Sequence, residues 1–96
     1  MIGMEEIAEA RVVVSGRVQG VWFRGFTQRV ASDEGVRGWV RNLPDRRVEA
    51  VLQGNRAAVE KVVGCLREGP PGASVTDIAV SWGPPSEVYR GFQIRY

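Results

Sequence analysis

Apolar positions along the chain change their period several times, and each change marks a new element. Arg11-Val12-Val13-Val14-Ser15 is β-branched and stops at Gly16, which predicts a first strand running into a turn. Phe23, Phe26, Val30 and Ala31 recur at helical spacing, with Arg29, Asp33 and Glu34 off that stripe and Gly35 as its stop. Residues 36–42 and 48–53 read as strands joined by Leu43-Pro44-Asp45-Arg46-Arg47, whose Pro-Asp pair favours a turn between antiparallel neighbours. Asn55 is placed to cap a second helix. Its Val59, Val62, Val63 and Leu66 form one apolar stripe, and Gly69-Pro70-Pro71-Gly72 ends it. Ile78, Val80 and Trp82 alternate with Asp77, Ala79 and Ser81 as a further strand, and residues 91–96 give a short alternating one.

The order is therefore β-α-β-β-α-β plus a terminal strand. Two helices of this length cover one face of a mainly antiparallel sheet, which predicts an α+β class with the split βαβ, ferredoxin-like arrangement. With 96 residues the chain is sized for a single domain, 1–96, in which about 1–9 is expected to be a ragged leader. Phe23, Phe26, Trp82 and Phe92 are assigned to the core by their periodicity, and Cys65 lies beside the second helix's stripe.

Composition narrows the chemistry. Thirteen Lys+Arg are nearly matched by 11 Asp+Glu for a formal charge of +2, so bulk charge does not call for a nucleic-acid partner. All of that positive charge except Lys61 is arginine, which suits guanidinium chemistry and equally reflects base composition. A single cysteine and no histidine exclude an internal disulfide, a mixed zinc cluster and a phosphohistidine intermediate, and point to a reducing cytoplasm. No metal and no other cofactor is expected. Glu5, Glu6 and Glu9 rule out a secretory leader pattern, and no apolar stretch is long enough for a membrane helix.

The strand-loop-helix junction from Ser15 to Phe26 is the stretch with chemical promise. Gly16 and Gly20 permit positive φ, so successive amides can converge on one centre at the positive end of a helix dipole. Arg24 at the helix entrance adds a fork of donors suited to phosphate oxygens. By spacing alone this states only that the loop binds an anion, since many strand-to-helix loops hold Gly and Arg without a ligand.

The string Gly16-Arg17-Val18-Gln19-Gly20-Val21-Trp22-Phe23-Arg24 resembles the signature of the acylphosphatase family. One helix downstream, Gly38-Trp39-Val40-Arg41-Asn42 with Asp45 and Val48-Glu49 resembles its second signature. The resemblance runs over nearly the whole chain, including the Gly69-Pro70 break, the strand at Val75 and the terminal Phe92-Gln93-Ile94-Arg95-Tyr96. It implies hydrolysis of acyl phosphates to a carboxylate and inorganic phosphate, by a free-standing, cytoplasmic and monomeric enzyme without a metal. By position it implies that Arg24 binds the phosphate and that the backbone amides of Arg17, Val18, Gln19, Gly20, Val21, Trp22 and Phe23 cradle it. Asn42 is implied to hold the attacking water. An amide suits that task because it donates and accepts without charge, whereas a carboxylate there would repel the dianion.

An acyl phosphate also fits the absence of histidine, because its carboxylate leaving group needs no general acid and positioning with charge stabilisation suffices. Trp22 is expected to shape the acyl side of the pocket, and the Tyr96 carboxylate to pair with Arg24. Arg46 departs from the family pattern, which often has glycine there, so the hairpin turn is expected to be wider or differently strained. Two rivals remain. One is an RNA-binding ferredoxin-like module, vaguely echoed by Arg37-Gly38-Trp39-Val40 but lacking the aromatic that should follow. The other is a carbamoyl-transfer domain of the kind that precedes cysteine-rich zinc modules, and carbamoyl phosphate is an admissible substrate on either account.

Overall fold

A computed structural model describes residues 7–96. Strand β1, Ile7–Arg17, starts the described chain and pairs antiparallel with β3, Val48–Asn55, on one side and with β4, Ser74–Gly83, on the other. Strand β2, Arg37–Asn42, continues the sheet beyond β3, and the short β5, Phe92–Arg95, closes it by pairing parallel with β2. The strand order is β4-β1-β3-β2-β5. The predicted α+β, mainly antiparallel sheet is therefore present, with the terminal strand as its one parallel member.

Both helices lie on one face. Helix α1, Phe23–Asp33, packs on β2 and β5, and helix α2, Arg56–Glu68, packs on β1, β3 and β4. Alternation along the strands sends Val12, Val14, Val40, Ala50 and Leu52 toward the helices, where Phe23, Val59, Val62 and Leu66 meet them. Each fully buried Val, Leu or Phe of this kind contributes about 1.5–3 kcal/mol, so the two stripes hold the layers together. Thr27 joins the stripe of α1 by donating its hydroxyl to the Phe23 carbonyl at 2.8 Å, which satisfies a buried polar group locally.

Three expectations are corrected. The leader assigned to 1–9 overlaps β1, since Ile7, Ala8 and Glu9 pair with Asn55, Gly54 and Gln53; residues 1–6 lie outside the described part. Strand β1 does not stop at Ser15. Its register with β4 shifts between Ser15 and Gly16, and Gly16, at φ 120, brings its backbone so close to Ser74 that a Cβ would lie 2.1 Å from the Ser74 carbonyl oxygen. The extra residue, Thr76, lies on β4, and this bulge in the partner strand lets the pairing of β1 continue to Arg17. Trp82 is half-exposed instead of core, with the Arg56 guanidinium 4.0 Å from the centre of its ring. Phe26 packs against the core as its stripe implies, partly buried and edge-on to Phe23, with ring centres 6.1 Å apart.

Candidate active site

After β1, residues 18–22 form the loop that leads into α1. Gly20 takes φ 76, a region open to glycine, so the chain reverses there without steric cost. Trp22 takes φ 66 and ψ 24 as the N-cap of α1, and its side chain makes no capping hydrogen bond. The first turn also carries no acidic residue. The first helical bond runs from the Phe26 amide to the Trp22 carbonyl at 3.0 Å, so the amides of Phe23, Arg24 and Gly25 precede any intrahelical acceptor. Positive dipole and free donors thus coincide at this end.

A second element reaches the same place from β2. Asn42 is the last residue of that strand, opposite Val48, and the turn that follows closes with the Leu43 amide on the Arg47 carbonyl at 2.8 Å and the Arg46 amide on the Leu43 carbonyl at 3.1 Å. Arg46 sits at φ 75, the left-handed position that three-residue hairpin loops require and glycine usually fills. That is the physical content of its departure from the family pattern. Asp45 accepts from the Arg47 amide at 3.2 Å and from its Nε at 2.7 Å; the backbone hydrogen bond first, then the guanidinium, hold its carboxyl below the usual carboxylate range.

Gln19 joins loop to turn. Its Nε2 donates to the Leu43 carbonyl and to the Arg47 carbonyl, each at 2.9 Å. Those are the two carbonyls that already close the turn, so one carboxamide fixes the loop relative to the end of β2.

Between them lies a cavity of about 220 Å³, lined by Val18, Gln19, Gly20, Trp22, Phe23, Arg24 and Asn42 from the residues singled out by sequence, together with Gly25, Ile94 and Tyr96. Arg17 and Val21 do not line it. Arg17 ends β1 opposite Ser74 and faces a neighbouring cavity with Arg46, and Val21 packs against the core. The parallel register of β2 and β5 brings Ile94 and Tyr96 to the site, because it pairs Val40 with Ile94 and Arg41 with Arg95. Gln28 secures that edge by donating to the Phe92 carbonyl at 3.0 Å. Arg24 meets Tyr96 through the ring: its guanidinium carbon stands 4.7 Å from the ring centre, and among the described residues no ion pair joins Arg24 to the Tyr96 carboxylate. The carboxylate pairing expected from sequence is replaced by this cation–π contact.

On the opposite sheet face, Glu49 is 3 % exposed and bonded by both Arg11 and Arg41, the latter at 2.7 Å. Burial would push its carboxyl up; hydrogen bonds and charge from the two arginines outweigh that and hold it below its ordinary value of 4.5. Arg41 and Arg95 also stand over the Trp39 ring, at 5.3 and 4.6 Å from its centre.

The acylphosphatase family profile matches residues 10–94, which contain both the loop and Asn42. The chain belongs to the acylphosphatase family. It is 51 % identical over 96 residues to the acylphosphatase of Rubrobacter xylanophilus, spanning 97 % of this chain and 87 % of that one. It is 50 % identical over 91 residues to that of Roseiflexus, spanning 95 % and 98 %. Among solved structures, the Bacillus subtilis acylphosphatase superposes with a TM-score of 0.90 at 39 % identity, over 93 % of this chain and 99 % of that one. The ferredoxin-like fold of this acylphosphatase-family chain is thereby shown. No helix among its described residues is long and apolar enough to cross a membrane.

Proposed function

We propose that this cavity hydrolyses acyl phosphates, R–CO–OPO₃²⁻, to a carboxylate and inorganic phosphate. Membership of the acylphosphatase family supports that activity. The observation that carries the site is that Arg24 from α1 and Asn42 from β2 line one cavity with the loop between β1 and α1. In this reading the phosphate oxygens lie against the loop amides of Val18 to Phe23 and the guanidinium of Arg24, where preorganised donors act at full strength. Arg17, the last residue of β1, adds charge beside the loop and faces the neighbouring cavity with Arg46.

The Asn42 carboxamide orients a water in line with the bond to be broken. The water oxygen bonds to phosphorus as the bond from phosphorus to the acyl oxygen breaks. The electron pair leaves with R–COO⁻, and the water's protons remain on H₂PO₄⁻. A carboxylate is a good enough leaving group that positioning and electrostatics carry the reaction without a general acid. All proposed site residues come from one chain, so a monomer suffices, and neither metal nor nucleic acid has a role.

The test is hydrolysis of benzoyl phosphate in the presence of a metal chelator. The parent is expected to turn over, and Arg24→Ala and Asn42→Ala each to lose at least about 100-fold in kcat, the scale set by removing one preorganised transition-state donor. Undiminished activity in both variants would refute the site.

A further inference from the structure

Trp22 breaks three local rules at once. It is a bulky residue in the left-handed region, at φ 66 and ψ 24, where side chains of its size are outliers. It is 60 % exposed although indole is among the most apolar surfaces a protein carries. It is also matched by a gap in α1: a Cβ at Gly25 would lie 2.2 Å from the Trp22 Nε1, so the first turn of the helix forgoes a side chain and the indole seats against its backbone. A helix-weakening glycine and a strained backbone together hold one exposed ring at the wall of the cavity.

The size of that cavity says what the ring is for. At about 220 Å³ it falls below the range of about 300–1,000 Å³ typical of sites that enclose drug-sized ligands. A phosphate and its water occupy such a space, and the acyl group extends over the rim. The large apolar side chains exposed there are Trp22 and Tyr96, the latter 99 % exposed with its ring already facing Arg24.

We infer that the Trp22 indole is the acyl contact of this site and that it gives a preference for aromatic or extended apolar acyl phosphates over acetyl or carbamoyl phosphate. The inference rests on the hydrolase reading above and adds its substrate class. Contact on an open rim removes only part of the acyl surface from water, so the preference is modest.

The experiment measures kcat/KM for benzoyl phosphate and for acetyl phosphate, and reads their ratio, in which any damage shared by the phosphate chemistry cancels. Trp22→Asn removes the ring while keeping a residue that tolerates positive φ. Gly25→Ala keeps the ring and evicts it from its seat. The ratio is expected to fall about fivefold in both, and to be largely kept in Trp22→Phe, consistent with partial burial of one aromatic group. Should Trp22→Asn fail to fold, Gly25→Ala decides. A ratio unchanged within about twofold, with both activities lost alike or both retained, makes the indole structural and overturns the inference. A parent that hydrolyses neither substrate overturns the hydrolase reading itself, which is a different result from two activities with a fixed ratio.

Discussion

At the start of α2 the Asn55 carboxamide accepts from the Ala57 and Ala58 amides at 2.9 and 3.3 Å; at the start of α1 Trp22 offers no capping atom and the first turn holds no acid. The two helices are of similar length and pack on the same sheet face, so the difference is not one of architecture. One end has its donors satisfied from within the chain. The other leaves them without a side-chain cap, next to Arg24 and across the cavity from Asn42, where the proposed site would hold an anion. An uncapped helix end lowers stability, and a site that binds an anion recovers that stability only when the anion is present.

The contrast is broken most severely at the open end. Inorganic phosphate at 100 times its Kd should stabilise the protein by about 2.7 kcal/mol, seen as a rise in Tm, and Arg24→Ala should abolish the rise. Phosphate protection that survives in that variant would place the anion elsewhere. At the closed end Asn55→Ala should cost about 1 kcal/mol, a fall of roughly 4–8 °C in Tm, with kcat/KM unaffected; a matching loss of activity would show that the two ends are coupled. Arg46 offers a smaller and opposite change. Arg46→Gly removes a left-handed strain like that of Trp22 from a position outside the cavity, and should add about 0.5–1 kcal/mol by chemical denaturation without altering turnover.

The smallest effect belongs to the far face, which both helices ignore. The Glu49 carboxyl is depressed in the folded state, so its contribution to stability is complete above its ordinary value of 4.5 and is lost as pH falls below that through its folded value. Glu49→Gln should flatten the acid limb of a stability–pH curve and leave phosphate protection intact. An acid limb that keeps its slope would assign the loss to other carboxyls.

Sequence made the elements legible because their apolar periods are strong and local: every stripe residue of α2 is buried, and Asn55 caps it as its position implies. What escaped depends on partners distant in the chain. The extension of β1 through Gly16 is decided by Ser74 and Thr76 on β4, which no reading of residues 11–17 alone contains. Ile94 and Tyr96 reach the cavity through a parallel pairing whose register is fixed only on folding. Trp82 alternates like a core residue, yet β4 is an edge strand, and Arg56 covers the ring in place of a second layer. Gly25 did carry a signal, a helix-weakening glycine three residues after a bulky one in the first turn.

The double bond from Gln19 to the Leu43 and Arg47 carbonyls also bears on length. Both protons of one NH₂ group are engaged, each on a carbonyl that the turn itself uses, so the spacing between those carbonyls is gauged by a side chain from another part of the chain. Exposed hairpin turns ordinarily accept an added residue with little consequence. Here an insertion between Leu43 and Arg47 would part the two carbonyls beyond the reach of a single nitrogen. The loop and Asn42 would then move independently, and in the proposed site a surface turn outside the cavity would set how well water and phosphate are aligned.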